Sequence, residues 1–84
     1  MKYRIVIRKP AKKFIDKLPA DEKRRMVSAI EKLPEGSDIK QMKAHPGLYR
    51  LRVGQYRVLY TVDNGELTVI VVNAGNRGDI YGEI

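Results

Sequence analysis

The sequence predicts an α+β fold: an αα-hairpin packed on one face of a mainly antiparallel four-stranded sheet, in the order β-α-α-β-β-β. Three observations carry this expectation. A β-branched run lies near the N-terminus, two helical apolar stripes are interrupted at Pro19, and three strand-like runs are punctuated by turn residues. The 84 residues suffice for one domain, expected to span 1–84. A chain this short buries only about 60–65% of its unfolded surface, so its core is thin.

Tyr3-Arg4-Ile5-Val6-Ile7 reads as the first strand. Pro10 suits the first turn of a helix, and Ala11, Phe14, Ile15 and Leu18 fall on one apolar face with lysines around the rest. Pro19 breaks this helix and begins another. There, Asp21 and Glu22 sit where the macrodipole favours negative charge, and Met26, Ile30 and Leu33 form the buried stripe with Val27 beside it. Pro34-Glu35-Gly36 ends the second helix. Residues 37–47 show weak periodicity and read as a loop anchored by Ile39 and Met42. Three strands follow, over 48–53, 56–62 and 67–73. Gly54-Gln55 suits a II′ turn between the first two, and Asn64-Gly65 a I′ turn between the next. The last of these runs is apolar on both faces except at Thr68 and reads as the central strand. Residues 74–78 read as a loop, and 80–84 as a short tail with room for one helical turn.

Charge is distributed unevenly. Residues 1–47 carry thirteen Lys/Arg against six Asp/Glu, and residues 48–84 carry four of each; all nine lysines lie at or before Lys43. A basic first half reads as a phosphate-attracting surface, with a positive solvated face as the plain alternative. Lys9, Lys12, Lys13 and Lys43 are its candidate RNA contacts. A second half whose only cations are Arg50, Arg52, Arg57 and Arg77 reads as bidentate contacts at fixed places. The absence of Cys excludes a disulfide scaffold, a cysteine nucleophile and thiolate metal sites, and no cofactor or metal is expected. No segment reads as a signal peptide or membrane span.

The hairpin at Gly54-Gln55 gathers the candidate chemistry. A two-residue turn sets Val53 opposite Tyr56 and hence Arg52 opposite Arg57. Alternation then puts Arg50, Arg52 and Arg57 on one face. Tyr49, Leu51, Val53, Val58, Tyr60 and Val62 fall on the other, toward the helices. Like charges directly opposite each other are destabilising, so a use for them is expected. The I′ turn would set Tyr56 opposite Asn73, bringing Arg77 and Tyr81 to one end of the face. Arginines beside an aromatic suit a phosphodiester with a stacked base; the plain alternative is a solvated face of long basic side chains. His45, before Pro46-Gly47, reads as a turn or packing residue, and Asp79 and Glu83 as caps or ion-pair partners.

The segments Leu48-Tyr49-Arg50-Leu51-Arg52-Val53, Gly54-Gln55-Tyr56-Arg57-Val58-Leu59-Tyr60 and Gly75-Asn76-Arg77-Gly78-Asp79-Ile80-Tyr81 resemble the RelE-type toxins of the RelE/ParE superfamily. The resemblance implies a RelE-like fold and a cytoplasmic toxin of a type II toxin–antitoxin system. Such a toxin cuts messenger RNA in the 30S A site of the ribosome, against ribosomal RNA, and leaves a 2′,3′-cyclic phosphate. It also implies a cognate antitoxin with an acidic toxin-binding segment, and operator DNA reached only through the antitoxin complex. By position, Arg50, Arg52, Arg57, Arg77 and Tyr81 match the family's catalytic residues. Arg50 and Arg52 stand where well-known members have lysines, which leaves the general base unassigned. The alternatives are a ParE-like inhibitor of DNA gyrase, or a degenerate member that binds only antitoxin and operator DNA.

Overall fold

The computed structural model describes residues 3–33, 35–36, 39–42 and 45–76. Its elements are β1 (Arg4–Ile7), α1 (Lys9–Asp16), α2 (Ala20–Glu31), β2 (Ile39–Gln41), β3 (Leu48–Val53), β4 (Tyr56–Asp63) and β5 (Thr68–Asn76). Pro10 lies in the first turn of α1, and Pro19 caps α2 in an extended conformation that cannot continue the preceding helix. Ala11 and Ile15 from α1, with Met26 and Ile30 from α2, are buried against Leu51, Val53, Val58, Tyr60, Val69 and Val71 of the sheet. The helices therefore cover one sheet face, as the periodicity requires. No described helix is long and apolar enough to cross a membrane.

The sheet has five strands in the order β1-β5-β4-β3-β2, which corrects the expectation of four. The extra strand is β2, within the segment read as a loop. It pairs antiparallel with β3, Ile39 against Leu51, Lys40 against Arg50 and Gln41 against Tyr49. Three residues are too few for alternation to stand out, and the half-buried Ile39 packing on the core supplies the stabilisation. β1 pairs parallel with β5, so that β5 is interior but the middle strand is β4. β1 forms one edge, where Val6 and Ile7 are 41% and 37% exposed.

The β4–β5 connection also differs from expectation. Asp63 pairs with Thr68, giving a four-residue loop instead of a I′ turn at Asn64-Gly65. The Asp63 carboxylate accepts the Glu66 N–H at 3.1 Å, and Leu67 takes a left-handed φ of 49°. A side chain that captures a backbone donor in this way holds the longer loop open. Further along, Tyr60 pairs with Val71 but Leu59 with Asn73, so Val72 is the extra residue of a β-bulge. The Asn73 side-chain oxygen accepts the Ala74 N–H at 2.8 Å at this irregularity. Tyr56 consequently lies opposite Asn76, not Asn73. Residues 74–76, read as a loop, complete β5.

Tyr60 is 1% exposed and stacks on Tyr49, ring centroids 5.6 Å apart at 21°. Burial, with a smaller contribution from the Tyr49 phenol, pushes its hydroxyl up to about 12. The unfolded phenol ionises near 10, so the folded state holds a proton that the unfolded state loses. The resulting stabilisation is complete below pH 10 and disappears as pH rises from 10 to 12, by about 3 kcal/mol in all. Denaturant unfolding at pH 8 and pH 11.5 should show this loss in the native protein and a smaller one in Tyr60→Phe.

Candidate functional site

The β3–β4 hairpin builds the site. Gly54 has a φ of 60° and Gln55 is not left-handed, as a II′ turn demands at its two central positions. The register is the expected one, with Val53 against Tyr56 and Arg52 against Arg57. Arg50 lies opposite Leu59 on one side and Lys40 on the other. Alternation then places Lys40, Arg50, Arg52 and Arg57 on the face away from the helices. Strands about 4.8 Å apart with a rise of about 3.4 Å per residue keep Arg50, Arg52 and Arg57 within about 8 Å of one another at the backbone. Side chains as long as these reach one phosphodiester from such positions.

Lys40 is the site residue that sequence reasoning missed, because its strand was not recognised. Its pairing with Arg50 sets a second pair of like charges directly opposite across the ladder.

The face is not a plain solvated surface. Arg52 is exposed, Arg50 is half-buried, and Arg57 is 5% exposed. Leu59, on the same face, is 1% exposed and stands apart from the core cluster under the helices. Arg57 Nη1 donates to the Tyr56 carbonyl at 3.2 Å, while its Nε is buried without a hydrogen-bond partner among the described residues. A buried donor left in that state costs about 1–3 kcal/mol, and more when charged. Neither Arg52 nor Arg57 makes an ion pair among the described residues; the two surface ion pairs described, Lys23–Asp16 and Arg24–Asp21, lie on the helices. The bulge contributes directly. Without it Ala74 would face Arg57 and Asn73 would enter the core beside Val58. With it Gly75 lies opposite Arg57 and leaves that place on the face free of a side chain, while Ala74 packs into the core.

The remaining candidates fall elsewhere. Lys9, Lys12 and Lys13 are exposed on α1, which packs on the opposite side of the sheet. They do not share a phosphodiester with Arg52 and Arg57. Lys43, Arg77 and Tyr81 lie outside the described residues, as do Asp79, Glu83 and the tail. The last described residue, Asn76, sits opposite Tyr56 at the hairpin end of the face. His45 is exposed. No group of three or more His, Cys, Asp or Glu able to hold a metal occurs among the described residues.

A cationic sheet face backed by two helices offers a polyanion several fixed contacts. Residues 5–81 match the family described as the ParE toxin of type II toxin-antitoxin systems, parDE. The chain is 30% identical to "Putative toxin RelE1" of Methanocaldococcus jannaschii, over 96% of this chain and 97% of that one. Among solved structures it is similar to the RelE–RelB complex of Pyrococcus horikoshii, with 30% identity and a TM-score of 0.75, covering 94% of this chain and 99% of that one. The RelB–RelE antitoxin–toxin complex of Methanococcus jannaschii gives 27% identity and the same TM-score, covering 94% and 98%. This chain belongs to the RelE/ParE superfamily as a RelE-type toxin.

Proposed function

We propose that this protein is a ribosome-dependent endoribonuclease that cuts messenger RNA in the A site and so halts translation. The observation that carries the reading is the registered cluster of Arg50, Arg52 and Arg57, with Arg57 buried and its Nε unsatisfied among the described residues. Folding gains nothing from like charges held opposite each other. A phosphodiester bound over them supplies the acceptor that Arg57 Nε lacks among the described residues.

In the proposed reaction the ribose 2′-oxygen attacks the adjacent phosphorus and the 5′-oxygen of the next nucleotide leaves. The products are a 2′,3′-cyclic phosphate and a 5′-hydroxyl. Arg57 holds the non-bridging oxygens, where negative charge grows in the transition state, and Arg50 and Arg52 fix the strand so that attack is in line. Arg77 is assigned to the departing oxygen and Tyr81 to stacking on a base. Lys40 adds a backbone contact one strand further out. The lysines of α1 face a different strand, which suits ribosomal RNA. Arginine does not readily give up a proton, so the rate enhancement rests mainly on preorganised positive charge.

A cognate antitoxin is part of the same proposal. The archaeal RelE relatives are solved in complex with RelB, and a net charge of +7 suits an acidic binding segment. Primer extension on messenger RNA after brief induction should show cuts inside codons. Growth arrest without cuts would point to the ParE-like activity, and no arrest to a degenerate member.

A further inference from the structure

The β4–β5 loop carries the one Asn-Gly pair of the chain, Asn64-Gly65, and the nuclease reading gives it no task. Both residues are exposed, and neither takes the left-handed φ that a tight I′ turn would impose. We propose that Asn64 is a site of spontaneous deamidation, in which Gly65 supplies the nucleophile and Tyr3 polarises the amide under attack. The product is an isoaspartate that unfastens the start of β1 from the loop.

The step balances with this chain and water alone. The backbone nitrogen of Gly65 loses its proton to solvent and bonds to Asn64 Cγ, while electron density moves onto Oδ1. Collapse of the tetrahedral adduct breaks the bond to the side-chain nitrogen, which takes up a proton and leaves as ammonia. A five-membered imide remains. Water opens it at the Asn64 backbone carbonyl to give isoaspartate, with the chain now running through the former side-chain carbon. Opening at the other carbonyl gives ordinary aspartate.

The loop is arranged for this attack. Tyr3 Oη donates to Asn64 Oδ1 at 2.8 Å, so a donor already faces the oxygen on which charge develops. The Gly65 N–H makes no hydrogen bond among the described residues; the amide captured by the Asp63 carboxylate is that of Glu66. Gly65 also lacks a side chain to obstruct the approach. Asn73 shows the opposite arrangement. Its own Oδ1 accepts the N–H of the following residue, Ala74, at 2.8 Å. That bond holds the would-be nucleophile at the oxygen and away from the carbon.

The same loop fastens β1. The Arg4 N–H donates to the Leu67 carbonyl at 2.7 Å, one residue after the Tyr3–Asn64 bond. Isoaspartate lengthens the backbone here by one carbon and moves the carboxylate directly onto Cα, away from Tyr3 Oη. It also sets a negative charge between Asp63 and Glu66.

The test keeps the native protein in mildly alkaline buffer for several days. Peptide mass mapping and labelling by an isoaspartate methyltransferase then locate the conversion. It should occur at Asn64 and be absent from Asn73. Tyr3→Phe, which keeps the ring, should slow it by about fivefold, less than the loss of a buried oxyanion donor costs because water can replace the hydroxyl. Gly65→Ala should slow it by about tenfold, since a Cβ restricts the backbone that must fold into the ring. That Cβ would meet only Asp63 Oδ1, at 3.4 Å, so the variant keeps the fold. The isoaspartate form, separated by cation exchange, should melt several degrees below the fresh protein, whereas Asn64→Asp, with the charge but not the longer backbone, should melt close to it. An unchanged Asn64, equal conversion at Asn73, or an unaltered rate in either variant overturns the proposal. Faster conversion in Tyr3→Phe does so too, because the hydrogen bond would then be a restraint. An isoaspartate form that melts with the fresh protein overturns the release of β1.

Discussion

Replacing Arg57 with Met should make this protein more stable and abolish its cleavage of RNA. Arg57 is 5% exposed, faces Arg52 across the ladder, and has a buried Nε with no acceptor among the described residues. Methionine keeps most of the apolar volume and removes both the desolvated charge and the like-charge pairing. Exchanging buried charge for packed apolar atoms gains about 1–3 kcal/mol in comparable settings, which for a domain of this size raises Tm by several degrees. Arg57 is assigned to the oxygens that gain charge in the transition state, and loss of one such donor lowers kcat by about 10²–10³. Thermal unfolding and the primer-extension assay measure the two effects on the same preparation. A lowered Tm together with retained cleavage would show that the guanidinium is structural. Opposite signs in the two measurements are the mark of a residue kept for function at the expense of stability.

The largest purely structural effect is expected at Tyr60→Ala. Tyr60 is among the largest fully buried side chains, and it joins the core cluster while stacking on Tyr49. Truncating a buried aromatic to alanine costs about 3–5 kcal/mol, because the cavity collapses only in part. A chain of this length has a total stability of only about 4–13 kcal/mol. Tyr60→Ala should therefore lose a large share of that stability, seen as a marked shift of the urea midpoint toward lower denaturant. Val6→Ala, at a 41% exposed edge position, should shift the same midpoint little. Similar losses at both sites would mean that the sheet edge, not the core under the helices, limits stability.

The sheet face was legible where a short turn fixed the register. Gly54-Gln55 leaves one pairing for β3 and β4, and from Arg52 opposite Arg57 the whole inside–outside pattern follows. Both helices were legible because Pro10 and Pro19 mark their starts and their apolar stripes keep helical spacing. The misreadings share a cause: they depend on contacts distant in sequence or on a single side-chain hydrogen bond. β2 exists because Ile39 finds the core, and Lys40 joined the site only through that strand. The four-residue loop exists because Asp63 captures an amide that Asn64-Gly65 would otherwise have left to a tighter turn. The bulge at Val72 flips the alternation of β5 midway, something no period-two reading contains, and it gives Arg57 a glycine opposite.

The first strand has a consequence for how this protein behaves at high concentration. Among the described residues β1 ends the sheet with its outer row of amide and carbonyl groups unpaired, and with Val6 and Ile7 exposed beside them. Such a border invites a second chain to zip on and propagate into insoluble ribbons. Here Arg4 begins the strand and Arg8 follows it, both exposed. Two molecules approaching border to border must crowd these guanidinium groups together. The repulsion acts as a bumper against self-templating, and it fades in concentrated salt, where precipitation of the isolated protein should begin.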